Sequence, residues 1–218
     1  MISTVIFDFG GVLLDWNPKY LYDKYFAIEE NARLFRETSV LQIESPAEMA
    51  DWFLENICRY EWNVEMDGGK PLAQGTAERI ALFPQWEDAI RQYYSNWIEM
   101  FKGVMPGMYD EIVRIKAKGF RIYGLSNWSA ETFMRYARNL PIFSSFDGIV
   151  LSGLEKVVKP DRRIFDIILS RYSINPQESV FVDDNQANID AAALLGIKGY
   201  KFTSPSDFKE NFYKQFNL

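Results

Sequence analysis

Apolar positions along the chain follow two patterns. Short unbroken apolar runs occur near the start and through the second half, whereas helical spacing fills the stretch between them. The first run, Thr4-Val5-Ile6-Phe7, leads straight into Asp8 and is followed by Phe9-Gly10-Gly11-Val12-Leu13. An apolar run without alternation reads as a strand buried on both faces. Gly10 and Gly11 let the chain turn sharply just after it. Asp15-Trp16-Asn17-Pro18 is turn chemistry, with Asn17 suited to an N-cap and Pro18 to the first helical position. Helical spacing then recurs over residues 19–26, 29–37, 46–58, 71–82 and 86–101, and no strand is expected there. Ser45 before Pro46, with Glu48 three residues on, resembles a capping box. Five of the six tryptophans fall within residues 15–101, which predicts an insert with an aromatic interior.

From Val104 the pattern changes. Met105-Pro106-Gly107 is a break, and residues 108–118 form a helix that Gly119 ends. Strands are predicted over residues 120–125, 147–151, 179–182 and 198–202. Helices are predicted over residues 129–138, 161–172, 186–195 and 205–216, the second of them capped by Asp161. Strands that alternate with helices predict an α/β fold, a doubly wound parallel sheet with helices on both faces. The sheet-bearing part is residues 1–14 and 102–218, and residues 15–101 are the helical insert.

Composition narrows the chemistry. The 218 residues suffice for one well-cored domain carrying an insert. A net charge of −6, without a Lys/Arg cluster, leaves no nucleic-acid footprint. No run approaches membrane-spanning length, and Asp8 interrupts the first apolar run too early for a signal peptide. The single cysteine, Cys58, has no internal partner, which suits a reducing cytoplasm. It falls within a predicted amphipathic helix and reads as a buried thiol. There is no histidine, so Ser-His-Asp and Cys-His catalysis and every His-based metal site are excluded. Hydrolytic chemistry must rest on carboxylates, lysine, serine or an oxygen-bound metal.

Four stretches place reactive groups at or beside carboxyl ends of strands: Asp8, Ser126-Asn127, Lys159 and Asp183-Asp184. In a doubly wound sheet these ends share one edge, where ligands bind. Each has a plain alternative: Ser126 as a helix cap, Lys159 as a surface charge, the paired acids as a solvated turn. Together they suit attack on phosphorus. A carboxylate at Asp8 would form an aspartyl-phosphate and divide hydrolysis into two easier steps. Its charge repels an anionic phosphate, so a cation must lie between them, and Mg²⁺ prefers such oxygen ligands. Asp8, the Gly10 carbonyl and Asp184 would supply ligands, with Asp183 acting through water or from behind them. Lys159 would pair with Asp8 and the phosphoryl oxygens. The Ser126 hydroxyl and the Asn127 N–H would hold another phosphoryl oxygen.

On Phe7-Asp8-Phe9-Gly10-Gly11-Val12-Leu13, Leu125-Ser126-Asn127, Val158-Lys159-Pro160-Asp161 and the residues from Phe181 to Ile189, the chain resembles the haloacid dehalogenase superfamily of phosphotransferases. The insert is similar to that superfamily's type 1 helical cap. The last two stretches resemble glucose-1-phosphate phosphatases and the phosphatase domain of soluble epoxide hydrolases. The resemblance implies a Rossmann-like core, Mg²⁺, a small phosphorylated substrate, and a cap that closes over the site and selects that substrate. One position departs from it. Most phosphatases of the superfamily carry a second acid two residues after the nucleophile, as general acid and base, where this chain has Gly10. Without that proton donor, substrates with good leaving groups should be favoured. Two other readings stay open: a metal-independent 2-haloacid dehalogenase, in which Asp8 attacks carbon, and a member that binds a phosphorylated ligand and hydrolyses it poorly.

Overall fold

In the computed structural model the described residues are 1–39 and 41–217. Val40, inside the expected insert, and Leu218, the end of the expected core segment, lie outside the described residues. The chain forms two compact units. One comprises Met1–Asp15, Asp67–Gly69 and Gly103–Leu218; the other comprises Trp16–Met66 and Lys70–Lys102.

The first unit opens with β1 (Thr4–Phe7), all four residues of which are buried. β2 (Leu14–Trp16) follows. The second unit carries α1 (Lys19–Phe26), α2 (Glu29–Ser39), α3 (Pro46–Asn56), α4 (Tyr60–Asp67), α5 (Leu72–Leu82) and α6 (Glu87–Ser95). β3 (Phe101–Val104) pairs with β2 in a two-stranded ribbon. Then come α7 (Met108–Ala117), β4 (Arg121–Ser126), α8 (Ala130–Thr132), β5 (Gly148–Leu151), α9 (Ser152–Glu155), α10 (Arg162–Arg171), β6 (Ser179–Asp183), α11 (Gln186–Ala193) and β7 (Lys198–Lys201). α8 continues as a π turn over Phe133–Ala137.

The main sheet runs β5-β4-β1-β6-β7 and is parallel throughout, as the alternation of strands and helices predicted. β1 is central because both its faces are apolar. On one face Ile6 packs in a cluster with Leu125, Val150 and Phe181, together with Ile164, Phe165 and Ile168 of α10. On the other face Phe7 meets Phe208, ring to ring at 5.9 Å. Phe7 pairs with Gly124 of β4 and Val182 of β6, so the chain leaves these three neighbouring strands at nearly one level.

Several local expectations need correcting. The expected last insert helix stops at Ser95, and its tail is a 3₁₀ turn (Trp97–Met100) followed by β3. α4 was not expected at all. Its sequence Tyr60-Glu61-Trp62-Asn63-Val64-Glu65-Met66 alternates apolar and polar residues, which masks the i,i+4 pair Trp62 and Met66 that it buries. Ser45 stands at the N-cap of α3, but its hydroxyl makes no cap bond; its carbonyl instead accepts from Met49 N–H. Cys58 lies beyond the end of α3 rather than inside it, and burial pushes its thiol up to about 12. Pro18 rather than Asn17 stands at the N-cap of α1, although Asn17 Oδ1 still accepts from Lys19 N–H at 2.9 Å. Within the second unit, Tyr22, Phe26, Phe35, Phe53 and Trp86 are buried ring against ring.

Candidate active site

The site begins at the turn after β1. Asp8 N–H still donates to Val182 of β6, at 2.9 Å, so Asp8 is held in line with the sheet. The Phe9 carbonyl then accepts from Leu13 at 2.9 Å and Leu14 at 2.8 Å, which folds the chain back at once. Gly11 makes this turn with φ of +76°. A Cβ there would stand 2.4 Å from Asp184 Oδ2, so the absent side chain also admits the Asp184 carboxylate.

Lys159 lies in the loop after α9. Its buried ammonium donates to Asp8 Oδ1 at 2.9 Å and to Asp183 Oδ2 at 2.7 Å. The Asn127 side chain fixes the Lys159 backbone in both directions: Nδ2 donates to the Lys159 carbonyl at 3.0 Å, and Oδ1 accepts its N–H at 2.8 Å. Asn127 therefore positions the lysine, a part that its place beside Ser126 did not reveal. Ser126 is buried at the end of β4. Asp183 is fully buried and accepts further bonds from Asn185 N–H at 2.7 Å and from Asn188 Nδ2 at 3.1 Å to each carboxylate oxygen. Asn188 was assigned no role from sequence. The available signal was its place in the first turn of α11, directly after the paired acids.

Carboxylate oxygens of Asp8, Asp183 and Asp184 lie within 4.8 Å of one another. Burial, and then the charges of Asp183 and Asp184, push Asp8 up to about 7 against the pull of Lys159. Asp184 is raised too, by burial and by Asp183. Burial works against the charge of Lys159, but Asp8 and Asp183 outweigh it and hold the ammonium above its ordinary range. One ammonium among three crowded carboxylates leaves a surplus of negative charge. An all-oxygen donor set carrying that surplus fits a hard divalent cation such as Mg²⁺. The structure thus brings Asp8, Lys159, Asp183 and Asp184 together and ties Asn127 to them. Gly10, two residues past Asp8, and Ser126, at the neighbouring strand end, are placed near them by the chain alone. No helix among the described residues is long and apolar enough to cross a membrane.

Comparison with known proteins agrees with this architecture. Over 104 residues the chain is 39% identical to mouse acyl-CoA dehydrogenase family member 10, a match that covers 46% of this chain and 9% of that protein. Two relatives match over most of their length. The sesquiterpene phosphatase AstK of Aspergillus oryzae is 26% identical over 92% of this chain and 90% of its own. The D-ribitol-5-phosphate phosphatase of Bacteroides thetaiotaomicron is 23% identical over 96% of each. A haloacid dehalogenase family enzyme of B. thetaiotaomicron, solved as a magnesium complex, superposes with a TM-score of 0.65 at 20% identity, over 97% of this chain and 98% of that one. The family model of the haloacid dehalogenase-like hydrolases matches residues 2–196. With a parallel sheet centred on β1 and an acid at that strand's carboxyl end, the chain belongs to the haloacid dehalogenase-like hydrolase family.

Proposed function

We propose that the protein is a Mg²⁺-dependent phosphatase that hydrolyses phosphate monoesters of small metabolites, sugar phosphates among them, through a phosphoryl group carried on Asp8. The observation that carries this reading is the Lys159 ammonium seated between Asp8 and Asp183, with Asp184 in the same cluster. The full-length relatives that are phosphatases, one of them acting on a sugar-alcohol phosphate, support it.

Asp8 attacks phosphorus, the bond from phosphorus to the departing oxygen breaks, and the phosphoryl group passes to the Asp8 carboxylate. Water then attacks phosphorus, releasing phosphate and restoring Asp8. Lys159 pulls Asp8 toward its ionised form and aims it, and its remaining N–H faces phosphoryl oxygen. The Ser126 hydroxyl and the Asn127 N–H hold a second phosphoryl oxygen. Asp8, the Gly10 carbonyl and Asp184 would hold Mg²⁺, with Asp183 behind them. When bound, the ion neutralises phosphoryl charge and lets a carboxylate approach an anion. The acid cluster weighs against the dehalogenase reading, since carboxylates crowded beside a nucleophile hold its proton on unless a cation offsets their charge.

The test is a screen over phosphorylated metabolites with and without Mg²⁺. Hydrolysis that chelation abolishes is expected. Turnover of a 2-haloacid that survives chelation would replace the phosphatase with a dehalogenase, and ligand binding without turnover would leave a non-catalytic member.

A further inference from the structure

The segment Asp67–Gly69 lies in sequence within the helical insert but belongs to the first unit, unlike the residues on either side of it. It is held there at three points. Ser129 N–H donates to Asp67 Oδ1 at 2.9 Å, and the Ser152 hydroxyl donates to the Asp67 carbonyl. Gly69, at φ of +96°, brings its backbone so close that a Cβ would stand 3.1 Å from the Gly153 carbonyl oxygen. Ser152 also accepts from Trp128 N–H at 2.9 Å. The Ser152 hydroxyl and the Asp67 carboxyl group thus pin the backbone of Trp128 and Ser129, directly after Ser126-Asn127. The result is a buried carboxyl against the loop that leaves β4, next to the strand that carries Asp8.

The position that usually holds the acid is empty. Gly10 has no side chain, and apart from its own chain neighbours no heavy atom among the described residues lies within 4 Å of where its Cβ would be. Of the other carboxyls near the nucleophile, Asp183 is committed to Lys159, Asn185 and Asn188, and Asp184 is the exposed acid assigned above to Mg²⁺.

We propose that Asp67 supplies the proton that Gly10 cannot, acting as general acid and base for the reaction at Asp8. This rests on the phosphatase reading. As Asp8 attacks, the phosphorus–oxygen bond of the ester breaks and its electron pair goes to the departing oxygen. That oxygen takes the proton from Asp67 and leaves as the alcohol. Asp67, now a carboxylate, accepts a proton from the water that attacks the aspartyl-phosphate; phosphate leaves, and both acids are restored. Burial, opposed by the Ser129 N–H and reinforced by the charge of Asp8, raises Asp67 to about 8, so it keeps its proton at neutral pH within electrostatic reach of the nucleophile. With Asp67 as the acid, the expected preference for good leaving groups is reduced, and alkyl phosphates become competent substrates.

The decisive variant is Asp67→Asn, whose amide oxygen can still accept from Ser129 N–H while the acidic proton is lost. The readout is single-turnover phosphorylation of Asp8 by an alkyl phosphate and by an aryl phosphate, at saturating Mg²⁺. The variant should lose about 10²–10⁴-fold with the alkyl ester, and about tenfold less than that with the aryl ester. Phosphoenzyme formed at the same rates by variant and wild type, or an equal loss with both esters, overturns the role of Asp67 and leaves the phosphatase intact. Failure of the wild type to form a phosphoenzyme with any ester overturns both. Should the variant not fold, the wild type decides alone. Its ratio of alkyl to aryl rates should fall as pH rises and Asp67 loses its proton, and a ratio independent of pH overturns the proposal.

Discussion

Asp8 and the paired acids can be separated residue by residue. Asp8→Asn keeps nearly the same shape and removes the nucleophile, so turnover should vanish while the unfolding midpoint changes little; retention of a tenth of wild-type activity would rule the nucleophile out. Asp183 and Asp184 should fail differently. Asp183 is buried under bonds from Lys159, Asn185 and Asn188. Asp183→Ala leaves that lysine with Asp8 as its remaining carboxylate, and breaking such a buried pair costs about 3–5 kcal/mol. Chemical denaturation should register it. Asp184→Ala removes a carboxylate crowded by its neighbours, so the metal-free protein should be about as stable as wild type while activity requires far more Mg²⁺.

At the scale of elements, the turn between β1 and β2 separates two adjacent glycines. Gly11 has φ of +76° and no space for a Cβ beside Asp184. Gly11→Ala should cost about 1–2 kcal/mol for the left-handed backbone and weaken Mg²⁺ binding by displacing Asp184, measured by titration calorimetry. Gly10→Ala meets open space and should alter stability little. Caps behave by the same local logic. Asp161 and Asn185 each accept an N–H from two residues on, and the Asp161 carboxylate also accepts from the Arg163 guanidinium. Ser45 stands at the same kind of position and caps through its backbone alone.

For the whole molecule, the buried acids set the response to pH and metal. Asp8 rises to about 7 and Asp67 to about 8, both above the ordinary carboxylate range. A carboxyl raised on folding binds its proton more tightly in the folded state, so its contribution is full at low pH and is lost as pH rises. The metal-free protein should therefore have a lower thermal midpoint at pH 8 than at pH 5. Mg²⁺ that binds only the folded state should stabilise it by about 2.7 kcal/mol at a hundredfold excess over Kd, which raises that midpoint and flattens its fall with pH. Thermal scans across pH, with and without the ion, measure both effects.

The sequence by itself determined the parallel sheet and the strand ends that carry acids, because both follow from local patterns: unbroken apolar runs, turn residues after them, and alternation with helices. Asp8, Lys159, Asp183 and Asp184 stood out for that reason, as charged residues where apolar runs stop. The helix over Tyr60–Asp67 stayed hidden because its side chains alternate at a period of two while its burial follows i,i+4. The clamp of Asn127 on Lys159 joins positions 32 residues apart, and the hold of Ser129 on Asp67 spans 62. No local pattern encodes such pairings. Only the packing of distant segments against one edge of the sheet decides which buried polar groups meet there.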